Sequence, residues 1–407
     1  MNRQRSLEAD DRDDLGAMRG SNQSGIRAHN ERLVLTLLRR HGPLAKADIA
    51  RQTGLSAQTV SVIMRALEAD GMLLRGDPVR GRVGQPSVPM RLADDGAFFF
   101  GLKIGRRSTD LVLTNFSGRV LGRVHLTYRH PAPDATIRFA LEGYAQLADQ
   151  LSATERARIA GLGIAMPFQL WDWARSLGLP DGAMDEWRDR DIRAELAAAL
   201  QVPIYLQNDA TAACGAELVF GRDPAPADFL YFYVGYFIGG GLVLNSSLYT
   251  GHTGNAAALG SIPVPAENGG SRQLIEVASL SVLEAALVAG GNDPGSLWDP
   301  PAAWNVDAAE LSAWIDRAAE GLAHAAVAAV AVVDLEWILI DGWIPATVRA
   351  RLVDATDRAL GRINLAGLQP PKLREGTVGP DARALGAASL PLSDRFLMDQ
   401  NAAMRVA

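Results

Sequence analysis

The chain has 407 residues, too many for one ordinary domain, and 48% of them are hydrophobic, enough to fill more than one core. A net charge of −6 argues against a nucleic-acid partner, but the charge is unevenly spread: residues 26–92 carry 11 Lys+Arg against 5 Asp+Glu, residues 1–25 sum to −1 and the remainder to −11. One cysteine, Cys214, excludes an internal disulfide and any multi-cysteine zinc site, and no apolar run of the signal-peptide kind follows the start, so a cytoplasmic protein is expected.

Residues 1–25 mix charges with Gly and Ser and lack apolar periodicity, which predicts a disordered tail. Residues 26–92 read as a winged helix-turn-helix. A helix starts near Ala45, after Gly42–Pro43, carries Ile49 inward and breaks at Gly54. A second begins at Ser56, whose hydroxyl suits an N-cap and which also counts among the DNA-binding candidates. Along it Val60, Ile63, Met64 and Leu67 recur at helical spacing and face the core. The opposite face offers Gln58, Thr59, Ser61 and Arg65 to base edges, while Lys46 and Arg51 suit phosphates. Gly71 ends the helix, Met72–Leu74 makes a short strand, and the tip Arg80-Gly81-Arg82-Val83-Gly84-Gln85-Pro86 precedes a return over Val88–Leu92. Arg80 and Arg82, set among glycines, suit a narrow minor groove.

From residue 97 to the end the pattern is α/β. Strands are predicted over Ala97–Ile104, Asp110–Thr114 and Val120–Thr127, a helix over Pro133–Ser152, and a buried strand over Ile159–Ala165. Helix Asp191–Leu200 then leads into strand Pro203–Gln207, the turn Asn208–Asp209 and helix Ala210–Phe220. The run Phe229–Leu244 is short and holds four glycines, so it reads as a buried strand pair and not as a membrane span. Helices follow over Leu274–Ala289 and Ala308–Val333, then a final buried strand over Trp337–Ile340 and a helix over Ala346–Leu360. Cys214, beside Ala212, Ala213 and Ala216, reads as a small core residue, and the Ala-rich stretch 322–332 as close-packed core or interface. Strands alternating with helices, each half opening on a hairpin, predict two lobes around a cleft.

The chain from about residue 27 resembles the ROK family of repressors, uncharacterised reading frames and sugar kinases. The segments that carry the likeness are GRVGQPS, FGLKIGRRSTDLVLTNFSGRVL, VPIYLQNDATAACGAELVFG, FIGGGLVLNSSLYTGHTGNAAALGS and DARALGAASLPL. The resemblance implies an actin/hexokinase-like ATPase fold, a ROK domain, behind the winged module. It also implies a sugar site at Asn208 and Asp209, with Asp209 where the kinases keep their general base. Asn255 and Glu276 complete the expected ligand set, and Trp171, Trp173, Trp187 and Tyr236, which read first as ordinary core or loop packing, are the aromatic candidates for stacking. Asn208–Asp209 equally reads as an Asx turn that caps the following helix through Asp209.

Against the family's kinases this chain is altered. Their first hairpin opens Asp-x-Gly-Gly-Thr; here the stretch is Lys103-Ile104-Gly105-Arg106-Arg107. A lysine repels the metal ion that phosphoryl transfer needs, and Arg106 crowds a nucleotide. Arg106 and Arg107 read first as solvated turn residues, with anion binding as the alternative. Their Glu-x-Gly-His motif is Ala258-Leu259-Gly260-Ser261 here, and their cysteine cluster is absent from the shortened Val264–Ile275. His252 alone cannot supply a zinc site, so no metal and no cofactor are expected.

The leading expectation is a sugar-responsive transcriptional regulator, a repressor of carbohydrate genes. Its partners are operator double-stranded DNA and a carbohydrate effector, its assembly a homodimer or tetramer, with no membrane involved. The alternatives are a sugar kinase with an accessory DNA-binding module, and a DNA-binding protein whose sugar site has decayed.

Overall fold

The computed structural model describes residues 10–78, 88–174, 178–223, 225–266 and 269–399. They divide into two compact units, one gathering the residues up to Ala97 with Ser393–Met398, the other built on Phe98–Leu392.

In the first unit, helix α1 runs Asp10–His41 and buries Val34, Leu35 and Leu38. The disordered tail expected over 1–25 is therefore corrected from Asp10 onward. No proline interrupts residues 10–41, and four aspartates within residues 10–14 favour a helix start at that end. Helix α2 (Lys46–Thr53) buries Ile49 and stops at Gly54, whose φ of 71° is a left-handed turn that a side chain would strain. Helix α3 (Ala57–Ala69) is capped by Ser56, which accepts from Thr59 N at 3.1 Å, and buries Val60, Ile63, Met64 and Leu67. Strands β1 (Leu73–Arg75) and β2 (Met90–Leu92) pair antiparallel, and Leu44 bridges to Met90 as a third segment. The expected tip, with Arg80 and Arg82, lies outside the described residues.

The second unit holds two five-stranded sheets. The first comprises β3 (Phe98–Ile104), β4 (Ser108–Asn115), β5 (Val120–Thr127), β6 (Ile159–Met166) and β7 (Ile204–Asn208), in the order β5-β4-β3-β6-β7. Helices α4 (Pro133–Ala148), α5 (Ala153–Arg156) and α6 (Ile192–Leu200) belong to its connections, and α7 (Asp209–Phe220) leaves its last strand. The second sheet begins with β8 (Phe229–Val234), β9 (Gly239–Leu244) and β10 (Ser247–Tyr249). A hairpin of β11 (Pro263–Pro265) and β12 (Ser271–Gln273) follows, then α8 (Ile275–Ala278), α9 (Leu280–Ala289) and α10 (Ala308–Val333). After β13 (Trp337–Gly342) come α11 (Ala346–Leu360), β14 (Lys372–Glu375) and α12 (Ala382–Phe396). The order β10-β9-β8-β13-β14 repeats the first sheet's plan, an antiparallel meander of three strands followed by two parallel ones.

Small residues let α7 and α12 pack closely, with Ala165, Ala212 and Ala387 forming a fully buried cluster. A Cβ on Gly241 would collide with Cys214, so β9 lies directly on α7 and the thiol is core. Ala318, Ala319, Ala323, Ala325 and Ala326 of α10 are likewise core, Ala323 packing with Ala359 and Leu360 of α11, while Ala328 and Ala331 are exposed. Two buried carboxylates tie down the loop before α12. Glu217 accepts from Thr377 N and Oγ1 at 2.9 Å, and Asp341 accepts from Gly379 N at 2.8 Å and Tyr231 OH at 3.0 Å.

Two expectations are corrected. The helix over Leu274–Ala289 is broken at Ser279, whose extended backbone (φ −77°, ψ 153°) lets its carbonyl accept from Trp314 Nε1 at 3.1 Å. Trp337–Ile340 is not the final strand, because β14 adds beyond it at the sheet edge; Lys-Leu-Arg-Glu offers one apolar side chain and no alternation to announce it.

Candidate functional site

On the winged unit, Gln58, Arg65 and Lys46 are exposed, and Thr59 and Ser61 half-buried. Ser56 is occupied as a cap and also lies 2.8 Å from Thr59 Oγ1, so the pair stiffens the start of α3 more than it offers free hydroxyls. Arg65 Nε donates to Ser61 O at 3.1 Å, which lays the guanidinium along the exposed face. Arg51 pairs with Asp48 at 2.8 Å, an exposed ion pair that phosphate can compete for. Arg75 of β1 grips Glu68 of α3 at 2.6 Å and fixes the strand to the helix. Sequence reasoning passed over Val62, which is 51% exposed on α3 beside Gln58, Ser61 and Arg65.

In the second unit, β3, β6 and β7 run parallel and end together, so the segments after them converge on one spot, the usual place for ligands in such sheets. A cavity of about 200 Å³ lies there, lined by Arg106, Phe168, Gln169, Trp173, Asn208, Asp209, Asn255, Ala258 and Ser261 among others. Asn208 Oδ1 accepts from Ala210 N at 3.0 Å and Thr211 N at 3.2 Å, so the cap of α7 is Asn208 and not Asp209 as the Asx-turn reading had it. That frees the Asp209 carboxylate, 9% exposed, to face the cavity while pairing with Arg383 at 3.3 Å. Gln169 and Ala257 line the cavity with φ of 56°, left-handed values that non-glycine residues hold only where their surroundings impose them.

Asn208, Asp209 and Asn255 thus gather as expected, but Glu276 does not line this cavity. It lies in α8, exposed, accepting from Gln273 N at 2.9 Å, and borders a separate hollow with Arg272 and His324. Its neighbour Ile275 reaches the cavity, and one residue further along a helix turns the side chain away by about 100°. Of the aromatic candidates, Trp173 lines the cavity. Trp171 and Trp187 border an adjoining hollow of about 470 Å³, with Trp187 buried and its Nε1 donating to Pro131 O at 2.8 Å. Tyr236 packs edge-on against Phe237. Phe168 and Phe237 were the aromatics missed, and no periodicity marks either of them.

Lys103, at the position where the resemblance implies an acid in the family's kinases, is buried and internally bonded: Nζ donates to Ser108 Oγ at 2.8 Å and lies 3.3 Å from Asp110 Oδ2. Burial, reinforced by Arg383, pulls its pKa down to about 8 against the opposing pull of Asp110. The reading of Arg106 as a solvated turn residue is overturned. It is 8% exposed, 4.4 Å from the ring centre of Trp173 and 4.3 Å from that of Phe237, and burial pulls its pKa down to about 10. Arg107 is half-exposed and pairs with Glu284 at 3.6 Å. Among the described residues no group of three or more His, Cys, Asp or Glu is placed to hold a metal ion, and no helix is long and apolar enough to cross a membrane.

Residues 27–73 match the winged helix-turn-helix DNA-binding family and residues 99–393 the ROK family. The xylose repressor of Bacillus subtilis is 22% identical over 60% of this chain and 62% of its own. A transcriptional regulator of Mycobacterium tuberculosis is 29% identical over 62% of this chain and 58% of its own. The chain therefore spans about three fifths of the length of these two relatives. The crystal structure of a ROK family transcriptional regulator, a homolog of the E. coli MLC protein, aligns with a TM-score of 0.65 at 20% identity, covering 94% of this chain and 99% of that one, a likeness that speaks for the fold. With a family match running from the first strand of the sheet unit into its last helix, this chain belongs to the ROK family.

Proposed function

We propose that this protein is a sugar-responsive transcriptional regulator, a repressor of carbohydrate genes, whose kinase-like unit senses a ligand without transferring phosphate. It acts in the cytoplasm as a homodimer. Gln58, Thr59, Ser61 and Arg65 contact base edges, Lys46 and Arg51 contact phosphates, and Arg80 and Arg82 contact the minor groove. Asn208, Asp209 and Asn255 hold the sugar hydroxyls by paired hydrogen bonds. One observation carries the reading: an open polar face on a capped α3 shares a chain with a cavity lined by Asn208, Asp209 and Asn255, while Lys103, bonded to Ser108 and Asp110, stands where the resemblance to the family's kinases leads one to expect an acid. The names of the B. subtilis and M. tuberculosis relatives support it.

The test is fluorescence anisotropy with the full chain and duplexes from its own chromosomal neighbourhood, with and without a panel of sugars. A duplex bound with sub-micromolar affinity and released by one sugar is the expected result. Indifference to every duplex, together with ATP consumption in the presence of a hexose, would reverse the assignment in favour of a kinase.

A further inference from the structure

Arg106 is the one feature of the cavity that a neutral sugar leaves unexplained. Arg106 is buried at the wall of the cavity, its Nε has no hydrogen-bond partner, and among the described residues no carboxylate forms an ion pair with it. Asp209, the carboxylate that also lines the cavity, is engaged by Arg383 at 3.3 Å. Lys103 is satisfied by Ser108 and Asp110. Arg106 therefore shares the attraction of Asp209 with Arg383, which alone pairs with it directly.

The two rings beside it do not close around it. The centres of Trp173 and Phe237 are 4.5 Å apart, and each is under 4.5 Å from the guanidinium carbon. The three groups thus form a triangle and not a sandwich, so the rings support the cation from one side. A face-on ring accepts little from in-plane N–H groups, and the donors of a buried guanidinium cost free energy until an acceptor meets them. The same cavity is lined by Asn255 and Gln169, and by Asn208, whose Oδ1 caps α7 and leaves its amide nitrogen for a ligand; amides suit hydroxyl groups.

We propose that the effector is an anionic monosaccharide whose carboxylate or phosphate seats on Arg106, while its hydroxyls meet Asn208, Asp209 and Asn255. The planar fork of arginine pairs two N–H donors with two oxygens of either group, which lysine cannot do. This inference rests on the sugar-sensing reading and names the class of ligand for that site.

Titration calorimetry on the full chain tests it with matched pairs: glucuronate against glucose, galacturonate against galactose, and glucose 6-phosphate against glucose. At least one acidic member binds ten-fold or more tightly than its parent hexose, and whether a uronate or the phosphate does so identifies the anion. Arg106→Gln abolishes that preference. Arg106→Lys, which keeps the charge and loses the fork, retains a preference at reduced affinity and serves if the glutamine variant fails to fold. Parent hexoses binding as tightly as their acids, with no change in Arg106→Gln, would overturn the inference and leave sugar sensing in place. No binding by any sugar, acidic or neutral, would overturn both.

Discussion

Two cationic residues in this chain sit where their environments pull in opposite directions, and each leads to a measurement. Lys103 is buried with a pKa near 8. Because the folded value lies below the ordinary 10.5, the fold binds that proton less tightly than the unfolded chain does. Its contribution to stability is therefore in place above pH 10.5 and lost as pH falls through about 8. At pH 7 the cost is on the order of 3 kcal/mol. Lys103→Met removes the titration together with the bonds to Ser108 and Asp110, so the variant's unfolding temperature relative to the parent's rises as pH falls from 10 to 7. A gap that stays constant from pH 7 to 10 contradicts this account of the charge. Arg65 is the opposite case, exposed and tethered only to a carbonyl one turn back. Arg65→Ala weakens operator binding by ten-fold or more, within the roughly 1–3 kcal/mol of a good base contact. Unchanged anisotropy titrations at moderate salt would take Arg65 out of the interface.

At the scale of the element, what could be read in advance is what local physics specifies. Helix α3 announces itself through Ser56, four apolar residues at helical spacing and a following glycine, and each signal reappears as a cap bond, a buried face and a stop. Ser56→Ala leaves the amide of Thr59 without its acceptor and costs about 1 kcal/mol. Hydrogen exchange at Thr59 should speed up, with the buried amides around Met64 changing less; equal protection in both proteins would mean that the cap contributes nothing. The elements not foreseen depend on partners distant in the chain. Strand β14 is polar and gains its place only from β13, and the break at Ser279 follows from Trp314, 35 residues later. The site divides in the same way. Asn208 and Asp209 were legible from their segment, and Ala258 and Ser261, which replace the Glu and His of the family's motif, line the same cavity. Glu276 was misjudged because the short β11–β12 hairpin sets the phase of α8, and Arg106 because nothing local marks a turn residue as buried.

For the whole molecule, the proposed function requires that a ligand in the sheet unit change the affinity of the winged unit for a duplex. A ligand changes DNA affinity only to the extent that it binds the DNA-competent and DNA-incompetent states unequally. Asp209 is placed for that discrimination, since its carboxylate faces the cavity while held by Arg383 of α12, 174 residues further along the chain than Asp209 at the start of α7. A sugar hydroxyl donating to Asp209 competes with Arg383 for the same oxygens, so ligand binding and the hold on α12 are linked through one carboxylate. Asp209→Ala cuts that link and removes a ligand contact together. In an operator-release titration the parent shows a ligand-dependent fall in affinity of five-fold or more, the ordinary lower range of coupling between two sites. The variant shows none at ligand concentrations that saturate the parent. Arg383→Lys, which keeps a cation near Asp209 but alters its geometry, separates the two roles, with ligand affinity changing little and coupling falling. Equal release by the parent and both variants would place the sensing elsewhere in the chain.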